Sequence, residues 1–199
     1  MSEQIFELAP WRSALSRALH RNHSQPHHRF FQIATVSPDG MPSNRTVVFR
    51  GFVNQTNFLK IITDRRSKKL GDLAIRNQAE IAWYFIKTRE QFRLSGTIET
   101  VTADDLESYF FQERQRTWEA ISDNARAQFA WPFPAAPRSE NSDDFKVSKL
   151  DATKPLDNFV LLVFQPHKVD HLELRGEPQN RFIYQFQPSK TWEKIAVNP

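Results

Sequence analysis

Phe58-Leu59-Lys60-Ile61-Ile62-Thr63-Asp64-Arg65-Arg66-Ser67-Lys68-Lys69-Leu70 carries an apolar strand straight into four cations. Leu70, Leu73, Ala74 and Asn77 then recur at helical spacing, so the cations crowd the start of a short helix. A helix N-terminus already presents unpaired amides and about half a positive charge, and cations there are destabilising. Ser67 alone fits the preference for capping residues at that end. A phosphate seated on the amides reverses the balance, because amides and cations then attract it together. The junction therefore reads as an anion site.

The segments on either side set the fold class. Upstream, Phe30 to Val36 and Asn44 to Phe52 flank Ser37-Pro38-Asp39-Gly40, a strong reverse-turn signal, and are expected to pair as a hairpin. Downstream, Glu80 to Ile86 and Gln91 to Val101 read as strands. Thr102 is expected to cap a long helix through Leu106, Tyr109, Phe110, Glu113, Thr117, Trp118 and Ile121, with Asp104 and Asp105 in its first turn. Ser122 to Ala130 reads as a second helix, completing a helical insertion over 103–130. Trp131-Pro132-Phe133-Pro134-Ala135-Ala136-Pro137 breaks helix and sheet alike, and 131–155 as a whole reads as a proline-rich and polar loop. Runs at 158–164, 168–174, 181–186 and 192–197 supply the last strands. Near the start, Trp11, Leu15, Ala18 and Leu19 predict a helix over 10–22. Short links between sequential strands favour an antiparallel barrel, so the expected fold is mainly β with α insertions, in a single domain over 1–199.

Bulk composition narrows the function classes. The 199 residues contain no cysteine, which excludes disulfide frameworks, thiolate metal sites and cysteine nucleophiles. The formal charge of +4 suits a basic pocket better than a nucleic-acid surface, where a continuous basic stripe is expected. Phe is frequent, at 17 residues, with 5 Trp, which supplies a β-rich core and aromatics for a planar ligand. Met1 to Pro10 carries Glu3 and Glu7 and no long apolar stretch, so it does not read as a signal peptide, and no segment has the ~20 apolar residues of a membrane span. The expected location is cytoplasmic, with no membrane and no nucleic-acid partner. His20, His23, His27 and His28 are compact in sequence but lack carboxylate neighbours and read as loop histidines, not as metal ligands.

A second basic stretch, Arg45-Thr46-Val47-Val48-Phe49-Arg50, puts its two arginines on opposite faces of a strand. Either arginine alone reads better as a barrel-rim cation paired with an acid. Taken in order, Arg45 to Arg50, Ile62-Thr63, Ser67-Lys68-Lys69 and Gln91 resemble the flavin-binding series of the pyridoxamine 5'-phosphate oxidase family. The resemblance continues through Tyr109 to Arg181-Phe182-Ile183-Tyr184 and the C-terminus.

That resemblance implies an FMN-binding split β-barrel working as a homodimer, with the flavin at the interface. It implies that Arg45, Lys68 and Lys69 hold the FMN phosphate and that the backbone of Thr46, Val47, Val48, Phe49, Arg50, Ile62 and Thr63 follows the ring and ribityl chain. Ser67 belongs to the same series, and Gln91 and Arg181 would lie at the ring. Arg50, Tyr109 and Arg114 are the residues to test for substrate contact, and no side chain is assigned as catalytic acid or base. The substrate side departs from the family pattern. Where the family has Arg-x-His before the arginine matching Arg181, this chain has Pro178-Gln179-Asn180, and Glu113 stands where an arginine is expected. These departures argue against a vitamin B6 phosphate as substrate. The competing readings are a flavin carrier or sensor without turnover and a nucleic-acid-binding barrel.

Overall fold

The computed structural model describes residues 8–199; Glu3 and Glu7, on which the reading of the N-terminal segment rests, lie outside them. Strands β1 (Phe30–Val36) and β2 (Pro42–Val48) form the expected hairpin, with Phe30 opposite Val48. They are followed by β3 (Leu59–Asp64), β4 (Gln78–Phe85), β5 (Glu90–Val101), β6 (Phe159–Glu173), β7 (Asn180–Phe186) and β8 (Trp192–Val197). All pairings are antiparallel, in the order β2-β1-β4-β5-β6-β7-β8, with β3 also on β6. Just past β2, the Arg50 amide donates to the Lys60 carbonyl at 2.9 Å and the Lys60 amide donates to the Gly51 carbonyl at 2.8 Å. Those two bonds join the β2 end to β3 and close the ring β2-β1-β4-β5-β6-β3.

The split in this barrel comes from the length of β6. One edge of β6 is paired with β5 throughout, whereas the other is shared: β3 takes 159–164 and β7 takes 168–173. The sequence reads here as two strands because Pro166 interrupts them, but the structure has one. Pro166 sits at a register shift opposite Gly96, a bulge where its missing N–H leaves no ladder bond unmade. A Cβ on Gly96 would overlap the Gln165 carbonyl oxygen and lie 2.7 Å from the Phe164 ring, so glycine is what lets the two backbones approach.

The core follows from strand alternation. In β4, Ala79, Ile81, Trp83 and Phe85 point inward and alternate strictly with exposed residues. Phe31, Ile33, Phe92, Leu94, Leu162 and Phe164 join them in one cluster, each fully buried large side chain contributing about 1.5–3 kcal/mol. Helix α1 (Pro10–Arg21) adds Trp11, Ala14, Leu15 and Ala18, and the Trp11 ring meets Trp192 of β8 edge-on at 5.8 Å. Polar clasps fix both ends of α1. The Ala9 amide donates to Asn57 Oδ1, and the Asn22 side chain bonds Thr88 and the Lys87 amide.

The helical insertion is shorter than expected. Residues 102–105 form a turn in which Asp105 accepts from both the amide and hydroxyl of Thr102, so the acid that was to start a helix closes a loop instead. The helix proper, α3 (Phe111–Ala120), begins at Phe111. Ser122 does cap its helix, α4 (Asp123–Ala127), accepting from the Ala125 amide, and a single 3-10 turn extends it to Ala130. Helix α2 (Lys68–Ile75) stands where the sequence places it. The 131–155 segment is expected to be mobile past Arg138, but it is tied to the body. Trp118 donates to the Asp151 carbonyl and Gln115 to that of Thr153. No helix among the described residues is long and apolar enough to cross a membrane.

Candidate functional site

A cleft of about 560 Å³ opens where the β2 end, β3 and the start of α2 face the loop after α4. Thr46, Val47, Val48 and Arg50 line one side, Ile62, Thr63 and Lys69 the base, and Phe129, Trp131, Phe133 and Phe145 the opposite wall. This volume and mixture of apolar wall with few polar groups is that of a small-molecule or cofactor site. Seven of the predicted cofactor residues therefore meet in one place.

The charge arrangement at the base is unusual for a protein interior. Lys69 turns back across the helix start, its Nζ donating to Thr63 Oγ1 and Ser67 Oγ, both at 2.7 Å. These partners are neutral. Burial first and the nearby Arg45 guanidinium second push the Lys69 ammonium down to about 8, with Asp64 and Asp72 offsetting only part. Arg45 is held on Thr35 Oγ1, the Ser43 carbonyl and Ser43 Oγ, with Asp72 Oδ2 farther off at 3.4 Å. Ser67 thus receives a lysine where it was expected to cap amides, and its side chain makes no capping bond. No side chain caps the start of α2, which lies beside two cations. Higher on the wall, the Nε of Arg50 is buried without a partner, and burial, then Arg29, lowers its pKa. Unpartnered buried donors beside a compressed pair of cations are matched by an acceptor-rich anion.

Not every predicted residue is there. Lys68 is exposed at the first position of α2, outside the cleft, and Phe49 turns into the core against Phe52 and Trp83. Gln91 and Arg181 lie far away. They share a register row with Leu172 near the end of β6, whereas Ile62 pairs with Leu161 near its start. Eleven residues at ~3.3 Å each separate the two rows along the strand by roughly 35 Å. Of the substrate candidates, Arg50 lines the cleft, while Tyr109 is 79% exposed and outside it. Arg114 is buried and donates to the Phe159 and Leu156 carbonyls, where it anchors the start of β6. Glu113 is locked to Lys60 at 2.6 Å.

Two features escaped sequence reading. Arg65 and Arg66 have no place in the flavin series and read as solvated. Arg65 instead pairs with Asp104, and Arg66 forks onto Asp64 and donates to the Trp131 carbonyl at 3.0 Å. Arg66 thereby ties the aromatic wall to the cation cluster. Trp131 to Pro134 read in sequence as a cover for the flavin face or as packing against the barrel, and in the structure they line the cleft. Glu90, His171 and Glu173 also cluster, with His171 Nε2 at 2.9 Å from Glu90, through a pairing across strands that no sequence spacing reveals.

Comparison with known proteins agrees with this geometry. The family model described as "Pyridoxamine 5'-phosphate oxidase, FMN-binding domain" matches residues 8–102. A protein of Arabidopsis thaliana named pyridoxine/pyridoxamine 5'-phosphate oxidase 2 is 34% identical over 194 residues, covering 96% of this chain and 98% of its own. The crystal structure of a pyridoxamine 5'-phosphate oxidase-related, FMN binding protein from Nostoc punctiforme superposes with a TM-score of 0.95. It is 48% identical, covering 97% of this chain and all of that one. PhzG from Burkholderia lata, solved with tetrahydrophenazine-1-carboxylic acid, shares the fold at a TM-score of 0.74 and 16% identity, over 94% of this chain and 92% of its own. The fold and site define an FMN-binding split-barrel flavoprotein. More particularly, the chain belongs to the pyridoxamine 5'-phosphate oxidase-like family, and its cofactor is FMN.

Proposed function

We propose that this protein is an FMN-dependent oxidoreductase that works as a homodimer, each flavin held between the cleft of one copy and the β5–β7 face of the other. The observation that carries the dimer is the division of the cofactor residues: one group lines the cleft, while Gln91 and Arg181 sit roughly 35 Å away along β6. A separation of that order supports two chains contributing to each flavin. Lys69 and Arg45 would hold the phosphate, the only dianion of the cofactor, and Arg50 would offer its free Nε above them. FMN, when bound, supplies the two-electron chemistry; the protein binds it, orients it and excludes water with the Trp131–Phe133 wall.

The Arabidopsis relative is named for vitamin B6 phosphates, but a different substrate is favoured here. Glu113, where the family pattern has an arginine, is an anion already neutralised by Lys60, and nothing cationic occupies 178–180. A site built for a phosphate does not tolerate the loss of two such partners.

Complementation between variants tests the proposal. Lys69→Ala and Arg181→Ala are each expected to weaken FMN retention when alone. Mixed and reassembled, half the sites of each hybrid dimer regain every wild-type residue, so tight FMN binding returns to one site per hybrid. No recovery on mixing would place the whole flavin site within one chain and overturn the dimeric reading. Anaerobic reduction by candidate amines, pyridoxamine 5'-phosphate included, followed by reoxidation in air separates an oxidoreductase from a carrier without turnover.

A further inference from the structure

The β5–β7 face carries a second charged group that the flavin series does not explain. Asp170, buried on β6, accepts a fork from Arg181: Nε to Oδ1 at 3.0 Å and Nη2 to Oδ2 at 2.9 Å. Arg93 of β5 donates its Nη2 to that same Oδ2. Burial works to raise the Asp170 carboxyl, but the bonds from Arg181 and Arg93 prevail and hold it below the usual carboxylate range. One carboxylate serves two guanidiniums, so the group carries a surplus positive charge.

Register shows where that surplus points. Arg93 lies opposite Asp170, and Gln91, two residues along, lies opposite Leu172, which in turn pairs with Arg181. Residues two apart on a strand share a face. Arg93 therefore sits on the same face as Gln91 and Arg181, one step from the row assigned to the flavin ring. Its side chain is 46% exposed, and Nη2 is the atom it commits to Asp170. A single carboxylate accepting a bidentate fork already satisfies one arginine, so Arg93 retains donors for another anion.

We propose that Arg93, oriented by Asp170 beside Arg181, is a specificity-determining residue that recognises an anionic group of the substrate, a carboxylate or a phosphate. Asp170 is the positioning residue of the pair. This inference rests on the reading that the β5–β7 face closes over a second copy's cleft. The flavin phosphate belongs at the Lys69 end, so the anion met by Arg93 is not the cofactor's. Arg93 also supplies a cation on the face where 178–180 supplies none.

The test uses FMN-loaded dimer titrated with benzoate or phenyl phosphate while flavin absorbance is followed. The wild type is expected to bind at least one of these probes, and whichever binds tighter identifies the anion. Arg93→Met should raise the Kd of that probe about tenfold with FMN affinity unchanged, and Arg93→Lys should recover part of the loss. Asp170→Asn should weaken the same probe while the far-ultraviolet circular dichroism stays that of the wild type. Equal probe affinity in the wild type and Arg93→Met overturns the inference. So does a wild-type spectrum that neither anion perturbs, or a loss of FMN itself from Arg93→Met. A wild-type protein that takes up no FMN, or stays monomeric when loaded, instead refutes the parent reading.

Discussion

The two ends of β6 handle positive charge in opposite ways. At the start, Lys69 is half-buried against neutral hydroxyls and its pKa falls to about 8. Toward the other end, Arg93 and Arg181 converge on a buried aspartate, and the hydrogen bonds that Arg181 donates to Asp170 hold its guanidinium above its ordinary value. The first cluster crowds Lys69 against Arg45 with only partial offset from Asp64 and Asp72; in the second, one buried carboxylate neutralises one of two arginines and fixes the geometry of both, leaving a single positive charge over. Cations a fold leaves unneutralised mark where a ligand's charge is to sit, and cations it neutralises mark where geometry is fixed in advance.

Breaking the strand that joins the two ends has the largest expected effect. Gly96→Ala forces a Cβ into the Gln165 backbone, 2.9 Å from its carbonyl carbon, and backbone cannot yield as a side chain can. A loss of about 4 kcal/mol or more is expected, read as a lowered thermal midpoint or as failure to fold.

Sharpening the charge contrast comes next. Lys69→Met should leave the fold intact and weaken FMN binding about 100-fold, measured by fluorescence titration. The pH dependence has a definite sign. Below about 8 the native Lys69 is charged, and between about 8 and 10.5 the unfolded chain holds a proton that the native apo-protein has shed. Stability of the apo-protein from this group therefore rises with pH across that window. FMN reverses the preference: its phosphate favours the ammonium, so affinity should fall as pH climbs above about 8. Proton uptake on FMN binding near pH 8.5, absent in Lys69→Met, checks the assignment calorimetrically.

The smallest expected effect is at the cleft wall. Arg66→Ala removes the fork to Asp64 and the bond to the Trp131 carbonyl, for a loss of about 1 kcal/mol in stability. FMN should dissociate a few-fold faster, and limited proteolysis should cut sooner within 131–138.

Local chemistry made much of this legible in advance. The Ser37–Gly40 turn signalled the first hairpin, and the cations at a helix start pointed to the cleft where Lys69 lies, because the rule they break is local. What stayed hidden depends on contacts distant in sequence. Pro166 looked like a strand end because nothing nearby shows Gly96 waiting across the bulge. Asp105 looked like a helix-start acid because its competing bonds to Thr102 draw on the same short-range chemistry. Arg114 lies one position from where the resembled family has a substrate arginine, yet its guanidinium reaches carbonyls more than 40 residues onward. Asp170 gave no signal at all, since its meaning lies in two arginines on two other strands.

The long β6 strand has an evolutionary consequence. Sites farther apart than about 10 Å change nearly independently in their effects on stability. With the Lys69 end and the Arg93 end separated by most of a 15-residue strand, drift in the 174–179 loop leaves Lys69 and its neighbours, and Arg181, untouched. A lineage built on this frame can exchange one substrate for another while its hold on the flavin is inherited unaltered.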